Sequence, residues 1–208
     1  MAVARFFGSE RLPGSGGLAS HSKSDSIHPT LFIEAKKRKT MADFTRYRDR
    51  QAELLKALGS KARKADLKPL IIRLCYVPDF NGGDVLVFDY QYLEQVAAAV
   101  VVGTDERGGP KLTYVTDGIT LEEGNLTRKK TRTKSVLVSL YGKTALLARQ
   151  ELKVPICAVK QPNRVGWLIA VAPKHVPKLA QARQDAVERA ALMAQIAEED
   201  ESGNEVQL

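Results

Sequence analysis

The chain has 208 residues and a mass of 22.9 kDa, and its 44% hydrophobic and 27% charged residues are typical of a globular protein. Its longest apolar run, residues 96–102, is much shorter than the roughly 20 residues of a transmembrane helix, and the N-terminus lacks the apolar segment of a signal peptide. Two cysteines are too few for a disulfide framework, which favours a protein of the reducing cytoplasm with no membrane partner.

The net charge of +8 is concentrated in the first third of the chain. Residues 1–64 contain fourteen Lys and Arg against six Asp and Glu, whereas residues 65–208 contain eighteen of each. A surface this basic attracts polyanions such as nucleic acids, and such binding weakens as the salt concentration rises. The alternative interpretation is a solvated charged surface without a partner.

The first half of the chain is predicted to begin with a loop over residues 8–25, where Gly, Ser and Pro are frequent and no periodicity is present. Short apolar runs rich in β-branched residues follow, with one long amphipathic segment among them. This pattern predicts a strand over 30–35, a helix over 40–58, strands over 69–76 and 85–90, and a helix over 92–102 whose valine-rich end could instead be a strand.

The second half is predicted to repeat this order. It contains a predicted strand over 135–140, a helix over 144–152, strands over 154–160 and 167–172, and a long helix over 176–197. A degenerate internal duplication is one explanation, and chance is the other, because the βαββα order is common.

The predicted domain organisation follows from these elements and from the composition between them. Residues 103–110 are polar enough for a linker, and residues 128–134 hold five cations in seven positions. We therefore predict a first α/β domain over 1–102, a linker with a basic segment over 103–134, a second small α/β unit over 135–197, and a disordered acidic tail over 198–208.

The residues best suited to chemistry are Asp25, Glu34 and Lys36. Because side chains alternate along a strand, Glu34 and Lys36 share one face, and a turn can bring Asp25 beside them. Two carboxylates and a main-chain carbonyl, here that of Ala35, form the all-oxygen environment that magnesium or manganese favours. A nearby lysine can orient or deprotonate the attacking water, which is the outline of a phosphodiester hydrolase. The spacing by itself is a weak pattern, and a solvated strand end also explains it.

The surrounding sequence resembles the PD-(D/E)xK nuclease superfamily. Residues 8–16 read GSERLPGSG, residues 24–26 read SDS, and residues 28–38 read HPTLFIEAKKR. This is similar to the Gly-x-x-Arg-x-Pro-x-Ser-Gly loop, the aspartate and the Ile-Glu-x-Lys strand of the Holliday junction resolvase-like and phage-type endonuclease branch. The resemblance covers roughly residues 5–100, about half the chain. It implies a restriction-endonuclease-like core, an α/β fold with a mixed central sheet and flanking helices.

The resemblance also implies roles for individual residues. Asp25 and Glu34 would be the metal carboxylates, with the carbonyl of Ala35 as a third ligand, and Lys36 would be the catalytic lysine. The aspartate stands between two serines here, whereas these nucleases usually have proline or glycine before it.

Three further residues are implied as part of the catalytic machinery. Ser15 would lie in the loop that approaches the scissile phosphate, and Gln51 would correspond to a polar helix residue near the active site. Resolvases carry a glutamate on a helix before the loop, and the only early carboxylate here is Glu10, which stands inside the loop sequence.

The cations of the basic third and of the basic segment are predicted to contact DNA phosphates without reading the bases. Exposed charged surfaces explain them as well. The predicted contact residues are Arg11, Lys23, Lys37, Arg38, Lys39, Arg46, Arg128, Lys129, Lys130 and Arg132.

The predicted function is that of a metal-dependent DNA endonuclease that uses magnesium or manganese and acts on branched or Holliday junction DNA. Two alternatives stay open: a non-catalytic nucleic-acid-binding protein with a degenerate nuclease fold, and a restriction- or repair-type nuclease in which residues 103–208 recognise the target. A homodimer and an intramolecular pseudo-dimer are both compatible with the sequence. A phage-encoded protein would act in the host cytoplasm.

Several other residues receive structural interpretations. His21 and His28 are expected to face solvent or DNA, with transition-metal binding as the alternative. Trp167, Cys75 and Cys157 fall in predicted strands and are expected to be core residues.

Overall fold

Most of the predicted strands and helices are present, and together they build a mixed α/β fold. The secondary-structure class predicted from the sequence is therefore confirmed. A computed structural model describes residues 2–11, 24–38, 42–76, 83–104, 106, 110–124, 136–161 and 166–203.

The elements follow one another in three groups along the chain. The first contains α1 (Ala2–Phe6), β1 (Glu10–Arg11), β2 (Ser26–Ile27), β3 (Leu31–Lys37) and α2 (Ala42–Leu58). The second contains β4 (Leu70–Tyr76), β5 (Gly83–Asp89), α3 (Leu93–Ala99), β6 (Val100–Thr104), β7 (Pro110–Tyr114) and β8 (Thr120–Gly124). The third contains α4 (Val136–Gln150), β9 (Val154–Lys160), β10 (Leu168–Val171) and α5 (Val176–Gly203).

The central sheet has six strands in the order β3-β9-β10-β5-β4-β8. β3 and β9 are parallel, β10 is antiparallel to both β9 and β5, β4 is antiparallel to β5, and β8 is parallel to β4. β3, β9 and β5 therefore run in one direction and end at the same edge of the sheet. We call this edge, where Lys37, Lys160 and Asp89 lie, the carboxyl edge.

Helices cover both faces of this sheet, because its strands are apolar on both sides. On one face, Ile33 and the apolar residues of the neighbouring strands on the same side of the sheet pack against α1, α3 and α5. On the other face, strand residues such as Cys157 and Val159 pack against Phe44 and Tyr47 of α2 and against α4. Glu34 and Lys36 alternate with Ile33 along β3, so they belong to the α2/α4 face.

The largest correction concerns residues 135–140, for which a strand was predicted. Of these, residues 136–140 belong instead to α4, a single helix that continues to Gln150, and residue 135 lies outside the described residues. Its buried residues include Leu137, Tyr141, Thr144 and Ala148, whose spacing of four, three and four is that of one helix face. The first six residues alone have too little length to distinguish a β-branched strand from a helix, and the helical period becomes visible only when it is followed through Gly142.

This correction removes the proposed repeat, because the second half has the order αββα instead of βαββα. Its two strands, β9 and β10, lie between β3 and β5 of the first half. Among the described residues, 135–197 thus form no sheet separate from that of residues 1–102. β9 completes the sheet beside β3 because its apolar residues find partners on both faces there.

The structure also differs from the predicted elements in smaller, local ways. Glu10–Arg11, predicted as loop, pairs with Ser26–Ile27 as the short ribbon β1–β2. The valine-rich end of the predicted helix over 92–102 forms β6, as the alternative prediction allowed. Part of the predicted linker over 103–110 belongs to the β6–β7 ribbon, in which Thr104 pairs with Pro110.

The predicted disordered tail is also shorter than expected. α5 continues to Gly203, because the glutamates at 198, 199 and 201 are good helix formers and extend the preceding amphipathic segment. Residues 204–208 lie outside the described residues. Within the described chain, none of the helices has both the length and the apolar character needed to cross a membrane.

Candidate functional site

Asp25 lies in the turn that leads into β2, and hydrogen bonds hold it against β3. Its main-chain N–H donates to the carbonyl of Ile33 at 2.9 Å, and its Oδ2 accepts a hydrogen bond from the N–H of Ala35 at 2.7 Å. The Oγ of the preceding Ser24 accepts from the N–H of Ile33 at 3.1 Å. The serine that replaces the usual proline or glycine therefore anchors the turn, and the Asp25 carboxylate lies beside the Glu34-Ala35-Lys36 segment.

The carbonyl of Ala35 lies on the same side of β3 as the Asp25 carboxylate. In an extended strand, the N–H and the carbonyl of one residue point to the same side. The Ala35 N–H points to Asp25, away from β9, and its carbonyl shares that direction. A carboxylate oxygen and a main-chain oxygen thus lie at the free edge of the sheet.

Glu34 and Lys36 form an ion pair on the α2/α4 face of β3. Their side chains are 16% and 39% exposed, so solvent reaches the pair mainly from the lysine side. Burial is the main cause that raises the pKa of Glu34, with the Asp25 carboxylate adding to it and the Lys36 hydrogen bond opposing it. The hydrogen bond with Glu34 raises the pKa of Lys36, which is therefore an ammonium at neutral pH.

These residues present the donor atoms that a hard divalent cation requires. Magnesium is commonly held by one or two carboxylates, with waters and substrate phosphates as further ligands. Asp25, Glu34 and the carbonyl of Ala35 fit that description, and the burial of Glu34 favours a nearby positive charge. The described residues contain no group of three or more His, Cys, Asp or Glu side chains that could hold a metal ion, and the present site offers two such side chains, Asp25 and Glu34.

The structure does not bring every residue predicted as catalytic to the site of Asp25, Glu34 and Lys36. Glu10 is exposed on β1, opposite Ile27, and the carboxamide oxygen of Gln51 accepts a hydrogen bond from Arg48 on α2 at 2.7 Å. Arg11 pairs with Ser26 through the backbone. The predicted residues outside the described ranges are Ser15, Lys23, Lys39, Arg128, Lys129, Lys130 and Arg132.

Exposed cations continue from Lys36 along the carboxyl edge. Lys37 and Arg38 are exposed at the end of β3, and Arg46 is exposed on α2. Lys37 is opposite Lys160 in the parallel register, and the Nζ of Lys160 lies 5.9 Å from the centre of the Trp167 ring. Sequence reasoning did not include Lys160, because only the pairing of β3 with β9 brings it beside Lys37. We call Lys37, Arg38, Arg46 and Lys160 the basic edge.

A second ion pair lies in the same row of the same sheet face. Lys36, Val159, Leu168 and Asp89 are opposite one another on four neighbouring strands, so about 14 Å separates the Cα atoms of Lys36 and Asp89. Arg48 Nη2 lies 3.6 Å from Asp89 Oδ2, and the two side chains are 21% and 8% exposed. This row places two oppositely charged pairs on one surface.

Arg48 and Asp89 are enclosed by their surroundings. The guanidinium lies over the rings of Phe44 and Tyr47, 5.2 and 5.8 Å from their centres. A Cβ on Gly166, whose φ is 88°, would lie 2.7 Å from Arg48 Nη2 and 2.9 Å from Asp89 Oδ2. The pair is therefore packed beneath the backbone that leads into β10.

The cations of α2 are thus only partly available for contact with DNA. Tyr47 is fully buried, and its hydroxyl donates to the carbonyl of Leu70 at 2.9 Å. Arg48 is paired with Asp89, and Arg50 is paired with Glu53 and Glu122. Tyr47, Arg48 and Arg50 therefore hold α2 on the sheet, and Arg46 is left exposed.

Two residues near the site have structural functions. His28 is buried, contrary to the prediction that it faces solvent or DNA, and its Nδ1 accepts from the N–H groups of Thr30 and Leu31 at 3.2 and 3.1 Å. Cys157 is buried opposite Glu34, and burial raises the pKa of its thiol to about 12, so it is no nucleophile at neutral pH. Cys157 and the buried Trp167 are core residues, as predicted.

The fold and the site together define a mixed α/β protein with a carboxylate-lysine strand at the edge of its sheet. Comparisons with protein-family models, with curated proteins and with solved structures give no match to this chain. The chemistry of the site is therefore argued from its own residues.

Proposed function

We propose that this protein is a metal-dependent endodeoxyribonuclease with a restriction-endonuclease-like core, and that branched DNA such as a Holliday junction is its substrate. One observation carries the proposal: the Asp25 carboxylate is hydrogen-bonded to the main chain of Ala35, between Glu34 and Lys36. The resemblance to the PD-(D/E)xK nucleases assigns the same four residues. The contact joins residues ten positions apart in sequence, so the arrangement depends on the fold.

Asp25, Glu34 and the carbonyl of Ala35 would hold the magnesium or manganese ion. When bound, such an ion stabilises negative charge on the phosphate oxygens and makes a water molecule more acidic. The Ala35 N–H fixes the orientation of the Asp25 carboxylate by occupying Oδ2. The partial burial of Glu34 keeps competing water away from one side of its carboxylate.

Lys36 would act on the phosphate and on the attacking water. Its pKa is raised by Glu34, so its ammonium can donate hydrogen bonds and stabilise charge that develops in the transition state. Proton acceptance by Lys36 would require the loss of this pairing. A donor role therefore agrees better with the ion pair than a role as general base.

The basic edge would bind the DNA backbone beside these residues. Lys37 and Arg38 directly follow the catalytic lysine, and Lys160 is opposite Lys37 on the neighbouring strand. Cations contact phosphates without reading base sequence, so selectivity for branched DNA would depend on its shape. This agrees with the net positive charge of residues 1–64.

The experiment is a cleavage panel of four-way junction, flap, single-stranded and linear duplex DNA with magnesium, manganese or EDTA. We expect the junction to be cut with either metal, and cutting to be lost in EDTA and in Asp25→Asn and Glu34→Gln. Glu94→Gln is the matched control, because Glu94 is an exposed glutamate on α3, which packs on the opposite face of the sheet.

Calorimetry with manganese completes the test. A site that disappears in both Asp25→Ala and Glu34→Ala would support the metal assignment, and unchanged binding in both would refute it. If the wild type binds junction DNA but cuts no substrate with either metal, the protein is a non-catalytic binder. Cleavage of linear duplex at specific sequences would instead support a restriction-type enzyme.

A further inference from the structure

Ser24 directly precedes Asp25 in the turn that leads into β2, and it is only 1% exposed. Its hydroxyl makes three hydrogen bonds with the main chain. Oγ accepts from the N–H of Ile33 at 3.1 Å and from the N–H of Ser26 at 3.3 Å, and it donates to the carbonyl of Ile33 at 3.3 Å. A buried hydroxyl with several main-chain partners fixes the backbone on either side of it.

These bonds take the place of a neighbouring strand. β3 is the outermost strand of the six-stranded sheet, so every second residue directs its N–H and carbonyl away from β9. The N–H of Ile33 donates to Ser24, and its carbonyl accepts from the N–H of Asp25 at 2.9 Å. The N–H of Ala35 donates to Asp25 Oδ2 at 2.7 Å. Ser24 and Asp25 together therefore pair with three consecutive outward groups of this edge strand.

The two residues have different parts in this arrangement. The hydroxyl of Ser24 and the N–H of Asp25 hold the turn at Ile33, which fixes where the Asp25 side chain begins. Only the bond from Ala35 then reaches the Asp25 carboxylate itself. Ser24 is buried and its hydroxyl is directed to the main chain, so its influence on a bound cation passes through Asp25.

We propose that Ser24 is a positioning residue of the candidate metal site, and that its hydroxyl sets the affinity for the divalent cation by fixing the Asp25 carboxylate. This inference rests on the proposed function, because it concerns the same metal site. Groups that orient a metal ligand commonly contribute about 10–100-fold to metal affinity. Removal of the Ser24 hydroxyl is expected to have an effect of that size.

Ser26 provides a matched control in the same turn. It is fully buried, and its Oγ has no hydrogen-bond partner within the described part of the chain. Ser26→Ala removes the same atom as Ser24→Ala, but it keeps the N–H that donates to Ser24. A general effect of losing a buried hydroxyl from this turn would appear in both variants, whereas a positioning effect appears in Ser24→Ala alone.

Calorimetry with manganese in the absence of DNA is the first measurement. Ser24→Ala should raise the manganese dissociation constant about 10–100-fold, and Ser26→Ala should leave it unchanged. Junction cleavage by Ser24→Ala should recover as the manganese concentration is raised, because the residues that act on the DNA are all present. Urea unfolding verifies that both variants are folded under these conditions. Ser24→Cys is the second variant, since a thiol of similar size is a weak hydrogen-bonding group and should also lower the affinity.

Amide hydrogen exchange without metal is the second measurement, and it separates positioning from a role in the turn alone. The N–H of Ile33 contacts Ser24 directly, whereas the N–H of Ala35 reports on the Asp25 carboxylate. In Ser24→Ala both amides should exchange about tenfold faster, the change expected when one hydrogen bond is lost. In Ser26→Ala both should stay protected.

The outcomes distinguish this inference from the proposed function. A wild type that binds no manganese would refute the metal site and this inference with it. If the wild type binds manganese and Ser24→Ala binds it equally tightly, the inference alone is overturned. Faster exchange at Ile33 with full protection at Ala35 would overturn it as well, and so would an equal loss of manganese affinity in Ser26→Ala.

Discussion

The two ion pairs on the α2/α4 face differ in how the chain surrounds them. Arg48 and Asp89 are covered by aromatic rings and by the backbone of Gly166, whereas Glu34 and Lys36 lie at the open edge of the sheet with the lysine 39% exposed. Both pairs join an acid to a base in the same row of strands. The enclosed pair therefore holds elements together, and the open pair keeps its charges within reach of solvent.

The largest expected effect is on the rate of cleavage, when the open pair of Glu34 and Lys36 is broken. Stability should change much less. Lys36→Met should reduce junction cleavage by about 10²–10³-fold, the usual loss when one positioned donor to developing charge is removed. The free energy of unfolding should change by no more than about 1 kcal/mol, because half-exposed ion pairs contribute little. Single-turnover cleavage and urea unfolding measure the two effects.

Binding measurements control for the Lys36→Met result. Manganese affinity should be retained or increased, because the ammonium no longer competes for Glu34. Junction affinity in calcium should fall only slightly, since one of fourteen cations in residues 1–64 is removed. Cleavage at the wild-type rate would show that the active site lies elsewhere.

Breaking the enclosed pair of Arg48 and Asp89 should mainly lower the free energy of unfolding. Arg48→Met leaves Asp89 buried without its guanidinium, and we expect the free energy of unfolding to fall by about 1–3 kcal/mol. Adding Asp89→Asn should recover part of this loss, because the uncompensated charge is removed. A stability loss no larger than that of Lys36→Met would remove the distinction between the two pairs.

A smaller effect is expected at the basic edge, beyond the open pair. Replacing Lys37 and Arg38 with Gln should weaken binding to every DNA substrate alike. The slope of log affinity against log salt should decrease by about 0.9 for each duplex phosphate contact that is lost. Filter binding at four salt concentrations measures the slope, and a loss restricted to one DNA sequence would indicate base reading instead.

A further expected effect concerns pH, and neither ion pair should cause it. Burial lowers the pKa of His175 to about 4, below its ordinary value of 6.5, so folding favours the neutral ring. The free energy of unfolding should therefore be highest above pH 6.5 and decrease as the pH falls towards 4. Burial raises the pKa of Glu34 and Asp89, so protonation of these carboxyls changes stability in the opposite direction.

Urea midpoints at pH 7.5 and 5.0 test this assignment. His175→Asn should reduce the difference between the two midpoints, and the contribution of His28, whose pKa is also lowered by burial, should remain. If His175→Asn leaves the difference between the two midpoints unchanged, groups other than His175 cause the loss of stability in acid.

Local periodicity determined much of the fold and the candidate residues of the site. β3, α2, β4, β5, β9, β10 and α5 were predictable because each has an apolar pattern long enough to identify its type. The alternation along β3 also determined that Glu34 and Lys36 share a face. Such information is contained within a few neighbouring residues, so it needs no knowledge of the rest of the chain.

Only the tertiary structure decided what those residues contact. The register of β9 beside β3 brings Lys160 to Lys37, and the row across four strands puts Asp89 beneath Arg48, although these partners are far apart in sequence. The same long-range packing made residues 136–140 helical, because Leu137 and Tyr141 bury one helix face against the sheet. Contacts between distant segments depend on which surfaces are covered in the folded chain, and local sequence patterns do not contain that information.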